Sequence, residues 1–294
     1  MTSRLVDKAQ DRQAMVDRQA ELTAMKAAAR DATKLVMAIY ESGFLVEWKG
    51  KDDPVTTADR EANAQIVATL SRAFPSHGFL AEESAPETAD ELARAQSHDR
   101  FFCVDPIDGT REFVDRNGEF CVMIGLAEGQ DGSAGARAVL GVIAVPAADK
   151  LFFGGPGLGC FVEPLGGGDA TSLTLWPPGP TLRALISRSH PSPRTSSLLD
   201  ALGASERIRC GSVGVKATRI LEGQADLYVH PSKGCKLWDA CAPDALLRGA
   251  GGVLVDLHGA PIDYRGPLGL DSGIIASHDS LSSRITAAAR ATLN

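Results

Sequence analysis

The sequence is poor in aromatic residues and contains no long hydrophobic run. Phe, Trp and Tyr make up 5% of its 294 residues, and no apolar segment approaches the roughly 20 residues that a membrane-spanning helix needs. The segment from Met1 to Ala20 is charged and rich in Gln, without the apolar core of a secretion signal. We therefore expect neither a membrane protein nor a secreted one.

Cysteine spacing argues against two further classes of protein. The six Cys residues are scattered along the chain, and no two of them form a C-x-x-C pair. A zinc site and a disulfide framework are therefore both unexpected. Unpaired cysteines are typical of a reducing compartment, so we expect a cytoplasmic protein.

The sequence has fewer basic than acidic residues, because it contains 30 Lys and Arg and 37 Asp and Glu, which gives a formal charge of -7. Binding to a nucleic-acid polymer needs a basic surface, which this composition does not favour. An acidic enzyme can still bind an anionic substrate if metal ions invert the local field. The content of 44% hydrophobic and 23% charged residues is typical of a folded globular enzyme.

The order of predicted elements indicates an α/β protein in two halves. Helical periodicity covers Lys8 to Ser42 and Ala58 to Phe74, with Thr56 or Thr57 as the cap of the second helix. A Gly/Pro-rich boundary near Pro164 to Asp169 separates an α+β half, residues 1–165, from an α/β half, residues 166–294. The first half would carry the metals and the second would bind the substrate. The strands predicted in the first half are Phe101 to Val104, Phe120 to Ala127, Val139 to Val145, Leu151 to Gly154 and Cys160 to Val162.

In the second half, strands and helices alternate. The predicted elements are a strand at Leu182 to Ser187, helices at Ser192 to Leu202 and Val213 to Glu222, a strand at Leu227 to His230, a helix at Ala242 to Ala250, strands at Val253 to Leu257 and Ile274 to Ser277, and a helix from Ser280.

The densest chemical signal is the segment Val104-Asp105-Pro106-Ile107-Asp108-Gly109-Thr110. Asp105 ends an apolar strand, and Pro106 cannot donate to a sheet ladder, so the chain is expected to leave the sheet there. Asp108 and Gly109 then form a tight turn. Two carboxylates would thus project from one short loop, although the same residues are also ordinary turn formers.

Two further acidic residues occupy similar positions. Glu82 follows the short apolar pair Phe79 and Leu80, and Asp239 is expected just before a helix, because Pro243 suits a helix's first turn. Taken singly, Glu82 reads as a solvated loop acid and Asp239 as a helix cap. Taken together with Asp105 and Asp108, they are the oxygen ligands that Mg²⁺ prefers.

Glu82-Glu83, Asp105 to Thr110 and Trp238-Asp239, in that order, resemble the inositol monophosphatase superfamily. The resemblance covers nearly the whole chain, from about Ala27 to His278. It departs from the usual pattern modestly, since Ala81 stands where the family usually has Gly. It implies the layered αβαβα sandwich of the inositol monophosphatase and fructose-1,6-bisphosphatase type.

The resemblance also implies roles for individual residues. Two or three Mg²⁺ ions per site would be held by Glu82, Asp105, the carbonyl of Ile107, Asp108 and Asp239. Asp59 and Thr110 match the pair that orients and deprotonates the attacking water. The amides of Gly109 and Thr110 would hold the phosphate at a helix start. Sensitivity to lithium is a further implication.

Other features resemble the 3′(2′),5′-bisphosphate nucleotidases within that superfamily. They are Gly211 to Lys216 at a helix start, Ser187 to His190 after a strand, and Gly234-Cys235-Lys236 before Trp238. A substrate with two phosphates needs a second anion site, for which Ser212 and Lys216 at a helix start are suitable. Ser187 and His190 would then contact the substrate. The alternatives are a plain N-cap for Ser212, a solvated helix face for Lys216 and a backbone-bonded loop histidine for His190.

The sequence therefore predicts a Mg²⁺-dependent phosphatase that converts adenosine 3′,5′-bisphosphate to AMP and phosphate, acting as a monomer or homodimer. Another substrate of the same superfamily, such as an inositol phosphate or a sugar bisphosphate, is the first alternative. A metal-bound regulatory protein without turnover is the second. The presence of both the metal ligands and the water-activating pair argues against the latter.

Overall fold

The computed structural model describes residues 2–50, 53–129, 135–189 and 191–293. The helices are α1 (Thr2–Ser42), α2 (Thr57–Ala73), α3 (Ala89–Gln96), α4 (Thr110–Val114), α5 (Pro193–Ala201), α6 (Val213–Leu221), α7 (Leu237–Gly249) and α8 (Asp279–Leu293). Among the described helices, none is both long and apolar enough to cross a lipid bilayer.

Twelve of the described strands form two sheets. The first has seven strands, in the spatial order β3 (Gly78–Ala81), β4 (Arg100–Asp108), β5 (Cys121–Gly129), β6 (Ala136–Val145), β7 (Lys150–Gly155), β8 (Gly159–Pro164) and β9 (Thr171–Leu173). The second has five strands, in the spatial order β11 (Glu206–Cys210), β10 (Arg183–Ser187), β12 (Leu227–His230), β14 (Ile274–His278) and β13 (Gly252–Val255). A separate hairpin joins β1 (Val46–Gly50) to β2 (Asp53–Thr56).

The elements stack as five layers, which confirms the αβαβα sandwich. Helices α1 and α2 pack on one face of the first sheet, α6 and α7 lie between the two sheets, and α5 and α8 cover the outer face of the second. Strand β4 shows why both faces of the first sheet are apolar. Phe101 and Cys103 belong to the core shared with α7, whereas Phe102 and Val104 belong to the core beneath α1 and α2, since successive side chains point to opposite faces.

The middle layer approaches the first sheet closely because two strands carry glycine where α7 crosses them. A Cβ on Gly125 would lie 2.5 Å from Sγ of Cys241, and one on Gly141 would lie 2.4 Å from the carbonyl oxygen of Ala242. Helix α7 can therefore rest almost directly on β5 and β6. This contact fixes the height of Asp239, two residues before Cys241, over the same sheet that carries Asp105 and Asp108.

Most predicted elements are present, but α3, the β1–β2 hairpin, β9 and β11 were not predicted, and helix α7 begins earlier than predicted. Strand β9 extends the first sheet to Leu173, beyond the predicted division at residue 165, so the two-domain division stays a prediction. Strand β11 was not predicted, because it is an edge strand in which mainly Ile208 and Cys210 point inward. Helix α7 begins at Leu237 rather than at Ala242.

Candidate active site

Asp105 and Asp108 both belong to β4, which is irregular at this point. Asp105 pairs with Met123 and Asp108 with Cys121, and the register shifts between these two pairs. The expectation that the chain leaves the sheet at Pro106 was therefore wrong, since β4 continues to Asp108 through a bulge. The bulge accommodates a proline, which cannot donate to the ladder. Both carboxylates are buried, with exposures of 2% and 8%.

Asp239 lies in the first turn of α7 and not before the helix. Its Oδ2 accepts a hydrogen bond from the amide of Lys236 at 2.7 Å, which caps the helix start and explains the early beginning. Pro243 lies inside the helix. There it removes only the bond that its amide would have made to the carbonyl of Asp239. Asp239 is therefore not the N-cap itself but the third helical residue, whose side chain bonds back to the amide of the cap residue Lys236, and its carboxylate also contacts Asp105.

Glu82 follows directly after β3, as the sequence indicated. Because β3 runs parallel to β4 and pairs with it from Gly78 to Ala81, Glu82 and Asp105 both follow the paired segment at the same edge of the sheet. The two side chains interact, and this interaction is one of the causes that raise the pKa of Asp105. Glu82 is half-buried, so it is not a fully solvated loop acid.

The electrostatics of this group are those of mutually repelling acids. Burial, followed by the charges of Glu82, Asp108 and Asp239, raises the pKa of Asp105 well above its usual range. Burial and the charge of Asp108 raise the pKa of Asp239 to about 7. Like charges held together disfavour ionisation, and nearby positive charge would relieve that cost.

These observations fit a site for hard cations. Oδ1 of Asp105 is buried and has no hydrogen-bond donor among the described residues, although a buried carboxylate oxygen normally has one. Within the described chain, no three His, Cys, Asp or Glu side chains are already arranged as ligands around one point. The fit therefore rests on the donor set and its charge. Three cavities of about 540, 390 and 330 Å³ lie elsewhere, and none is lined by these carboxylates.

Asp59 and Thr110 meet beside the carboxylates, as predicted. Oδ2 of Asp59 accepts hydrogen bonds from the amide and the hydroxyl of Thr56, at 2.7 and 2.6 Å. Thr56 is the N-cap of α2, so this capping contact fixes the side chain of Asp59. The remaining Oδ1 accepts from the Thr110 hydroxyl at 3.0 Å. Burial raises the pKa of Asp59, which makes its carboxylate a stronger base than an exposed one.

Thr110 is connected to the predicted metal ligands as well. Its hydroxyl lies 3.0 Å from the carbonyl oxygen of Ile107, so one hydroxyl proton serves either that carbonyl or Asp59. The preceding residue, Gly109, has a φ of +91° and is the N-cap of α4. A Cβ there would lie 2.9 Å from the carbonyl oxygen of Glu119, so only glycine fits. The predicted phosphate contact at this position would therefore be made by the backbone of Gly109 and Thr110.

Ser212 and Lys216 lie at the site, but both side chains already have hydrogen-bond partners within the protein. The Ser212 hydroxyl donates to Oδ2 of Asp108 and accepts from the amide of Val215 at 2.9 Å, which confirms the N-cap reading. Lys216 is 3% exposed, so the solvated-face reading was wrong. Its Nζ donates to the carbonyl of Ser212 at 2.8 Å and lies 4.8 Å from the ring centroid of Tyr228. Holding a second phosphate would require both groups to exchange these partners, and this role stays a prediction.

Two other residues, Ser187 and His190, were predicted to contact the substrate. Ser187 is the last residue of β10, half-buried, and is paired with Cys210 of β11. The strands β10, β11 and β12 are parallel, so Ser187, Cys210 and His230 end at one edge of the sheet. Ligands of α/β proteins bind at this edge. His190 lies outside the described residues.

Glu119 and Glu112 were missed by the sequence reasoning. Glu119 accepts hydrogen bonds from Arg188 at 2.6 and 2.8 Å, from Arg219 at 3.1 Å and from the amide of Gly211 at 2.7 Å. Glu112, in α4, accepts from the hydroxyl of Ser189. The two acids thus join the first half of the chain to the second beside the site. In the sequence, each of these two glutamates is only a charged residue next to an apolar strand or helix, and this pattern is too common to indicate a site.

Comparison with known proteins assigns the class. The sequence profile of the inositol monophosphatase family matches residues 17–293. The chain belongs to this family, whose members are metal-dependent phosphatases. The resemblance seen in the motifs is therefore confirmed.

Individual relatives are consistent with this membership. The chain is 34% identical over 239 residues to the 3′(2′),5′-bisphosphate nucleotidase CysQ of Salmonella typhimurium, covering 80% of this chain and 90% of the relative. It is 30% identical over 271 residues to 3′(2′),5′-bisphosphate nucleotidase 1 of Rattus norvegicus, covering 80% and 82%.

Solved structures agree with the fold. The crystal structure of CysQ from Bacteroides thetaiotaomicron, a bacterial member of the inositol monophosphatase family, superposes with a TM-score of 0.74 at 30% identity, covering 88% of this chain and 97% of that one. The extragenic suppressor protein SuhB from Bartonella henselae superposes with the same TM-score at 27% identity, covering 92% and 98%.

Proposed function

We propose that the protein is a Mg²⁺-dependent phosphomonoesterase that removes the 3′-phosphate from adenosine 3′,5′-bisphosphate, giving AMP and phosphate. The observation that carries the proposal is the group around Asp105. A buried carboxylate with an undonated oxygen and three acidic neighbours has the composition of a cation site. The relatives named as bisphosphate nucleotidases support the choice of substrate.

The proposed ligands are Glu82, Asp105, Asp108, Asp239 and the carbonyl of Ile107. Bound Mg²⁺ would neutralise the phosphoryl oxygens and make water a better nucleophile at neutral pH. Because Asp239 belongs to helix α7 and Asp108 to strand β4, in adjacent layers of the fold, loading the site would tie α7 to β4.

Asp59 and Thr110 would activate the attacking water. The Thr110 hydroxyl donates to Asp59, and its oxygen keeps lone pairs that can accept a proton from water. The proton then passes through Thr110 to Oδ1 of Asp59, while the new phosphorus–oxygen bond forms. The bond from phosphorus to the 3′-oxygen breaks in line, and the leaving oxygen takes up a proton from a solvent water. The backbone of Gly109 and Thr110 would hold the phosphoryl group in place during this step.

A panel of substrates tests the proposal. Phosphate release is measured from adenosine 3′,5′-bisphosphate, inositol 1-phosphate and fructose 1,6-bisphosphate under the same conditions, with Asp59→Asn as the inactive control. We expect the highest kcat/KM with the nucleotide. A higher value with inositol phosphate or the sugar bisphosphate would reassign the substrate within the family. No turnover of any substrate would instead favour a regulatory protein, which the comparisons do not support.

Inhibition by lithium is a further expectation of this assignment, because Li⁺ would occupy one of the Mg²⁺ positions. Phosphate release measured from millimolar to tens of millimolar LiCl, at constant ionic strength, tests it. Unchanged activity across that range would contradict the expected inhibition by lithium. It would not affect the assignment of the metal ligands.

A further inference from the structure

Oδ2 of Asp108 is saturated by donors from a distant part of the chain. It accepts from the Ser212 hydroxyl at 2.5 Å and from the amide of Gly214 at 2.6 Å. The thiol of Cys121 lies 3.7 Å from the same oxygen. Ser212 and Gly214 are 104 and 106 residues away in sequence, so the start of α6 holds one oxygen of a proposed metal ligand. A cation would then be bound by the other oxygen, Oδ1.

The backbone of Ser212 is strained in a way that serves this contact. Its φ is +55° and its ψ is 137°, and residues other than glycine rarely adopt a positive φ. Residues held in such conformations cluster at functional sites, where the surroundings enforce them. The strained turn brings the hydroxyl onto Asp108, while the same hydroxyl accepts from the amide of Val215.

The surroundings that enforce the turn come from the first half of the chain. Glu119 accepts the amide of Gly211 at 2.7 Å, and its remaining oxygen positions are taken by arginines. A Cβ on Gly211 would lie 2.2 Å from Cγ of Glu112, so the chain before Ser212 lies directly against α4. The turn is therefore clamped from both sides immediately before the residue that reaches Asp108.

We propose that Ser212 is a positioning residue for Asp108, holding Oδ2 so that Oδ1 faces the bound cation. The inference rests on the proposed role of Asp108 as a metal ligand. It replaces the prediction that the Ser212 hydroxyl holds a second phosphate, because a hydroxyl has one proton to donate and here donates it to Asp108. Capping α6 would need only the bond from Val215, so the contact with Asp108 is additional to the cap.

The test separates the hydroxyl from the strained backbone. Ser212→Ala removes the hydroxyl and keeps the strain, whereas Ser212→Gly removes the hydroxyl and relieves the strain. Mn²⁺ affinity is measured by titration calorimetry, together with the Mg²⁺ concentration that gives half-maximal phosphate release. A lost hydrogen bond to a charged group predicts affinities about 10-fold weaker in both variants. We expect phosphate release to fall most at limiting Mg²⁺ and to recover toward the wild-type value as the Mg²⁺ concentration is raised.

A matched control is available in α5. Ser192 caps that helix through a hydrogen bond from the amide of Thr195 to its hydroxyl, so Ser192→Ala removes a comparable cap away from the proposed metal ligands. It should lower thermal stability in the same way as Ser212→Ala while leaving Mn²⁺ affinity unchanged.

Four outcomes would overturn the inference. Wild-type Mn²⁺ affinity in both Ser212 variants would show that the hydroxyl only caps α6. Recovery of affinity in Ser212→Gly alone would assign the effect to backbone strain. A raised KM for the bisphosphate with unchanged Mn²⁺ affinity would restore the phosphate contact. A wild-type protein that binds no Mn²⁺ would overturn this inference together with the metal assignment, whereas one that binds Mn²⁺ but turns over no substrate would overturn the proposed function alone.

Discussion

The hydroxyl of Thr110 donates a hydrogen bond to Oδ1 of Asp59 at 3.0 Å, across 51 residues of sequence. The opposite oxygen of Asp59 is occupied by Thr56, so the carboxylate has a defined orientation toward Thr110. This pair lies next to the carbonyl of Ile107, which Thr110 also contacts. The proposed base, the proposed hydroxyl relay and a proposed metal ligand are thus linked by consecutive contacts.

Replacing Thr110 by Val tests the relay, since Val keeps the branched shape and removes the hydroxyl. Loss of a positioned proton-transfer group is expected to lower kcat by about 10²- to 10⁴-fold. Mn²⁺ affinity and thermal stability should stay close to wild type. A variant with wild-type kcat would rule out the relay. A variant with weakened Mn²⁺ binding would instead show that Thr110 acts through the carbonyl of Ile107.

Lys216→Met tests whether the buried lysine recognises a second phosphate. Met keeps the apolar stem that packs in the core and removes the charge. If Nζ leaves the carbonyl of Ser212 to bind phosphate, kcat/KM for adenosine 3′,5′-bisphosphate should fall about 10- to 150-fold, as a charge-assisted contact implies. The value for inositol 1-phosphate should change little.

Equal losses on the two substrates would contradict that role. They would show that Lys216 serves only its internal contacts with Ser212 and Tyr228. Ser212→Ala provides the comparison within the same helix start, because a residue that positions Asp108 should affect both substrates together.

The sequence was sufficient for most of the fold and for the acidic side chains among the proposed metal ligands. Hydrophobic periodicity and Gly/Pro punctuation located the helices and most strands, because the core faces of these elements are apolar in regular order. Asp105, Asp108 and Asp59 were predicted from motifs that are short in sequence. Their identification depended on the family resemblance, since each local motif is also an ordinary turn or cap.

What could not be predicted depends on contacts between distant segments. The bond from Ser212 to Asp108 joins α6 to β4, and Glu119 clamps Gly211 from the other half of the chain. No local pattern distinguishes these residues from a helix cap or a surface acid. Strand β11 was missed for a similar reason, because its pairing with β10 stabilises an edge segment that carries three charged side chains, Glu206, Arg207 and Arg209.

Asp244, in the middle of α7, predicts a pH dependence of stability. Burial raises the pKa of this carboxyl from 3.8 to about 7, although the hydroxyl of Tyr264 donates to it at 3.1 Å. The folded state therefore holds the proton more tightly than the unfolded state. The cost of ionising Asp244 is absent below about pH 4, grows as the pH rises toward 7 and is constant above. At most it reaches roughly 4 kcal/mol.

The variant Asp244→Asn keeps an acceptor for Tyr264 and cannot ionise. The free energy of unfolding of the variant, minus that of the wild type, should increase between pH 4 and pH 7 and then level off. Urea denaturation of both proteins at a series of pH values measures this difference. A difference that is independent of pH would show that Asp244 ionises in the folded protein as it does in the unfolded chain.

The central claim is that the acidic group around Asp105 holds the Mg²⁺ ions required for phosphate release. The most direct measurement is phosphate release from adenosine 3′,5′-bisphosphate in EDTA and after addition of Mg²⁺, with thermal unfolding of the wild type and Asp105→Asn under the same conditions. We expect EDTA to abolish turnover, Mg²⁺ to restore it and to raise the Tm of the wild type, and the folded variant to gain neither activity nor stability from Mg²⁺. Full turnover in excess EDTA, or an equal Mg²⁺-induced rise in Tm in both proteins, would contradict the assignment.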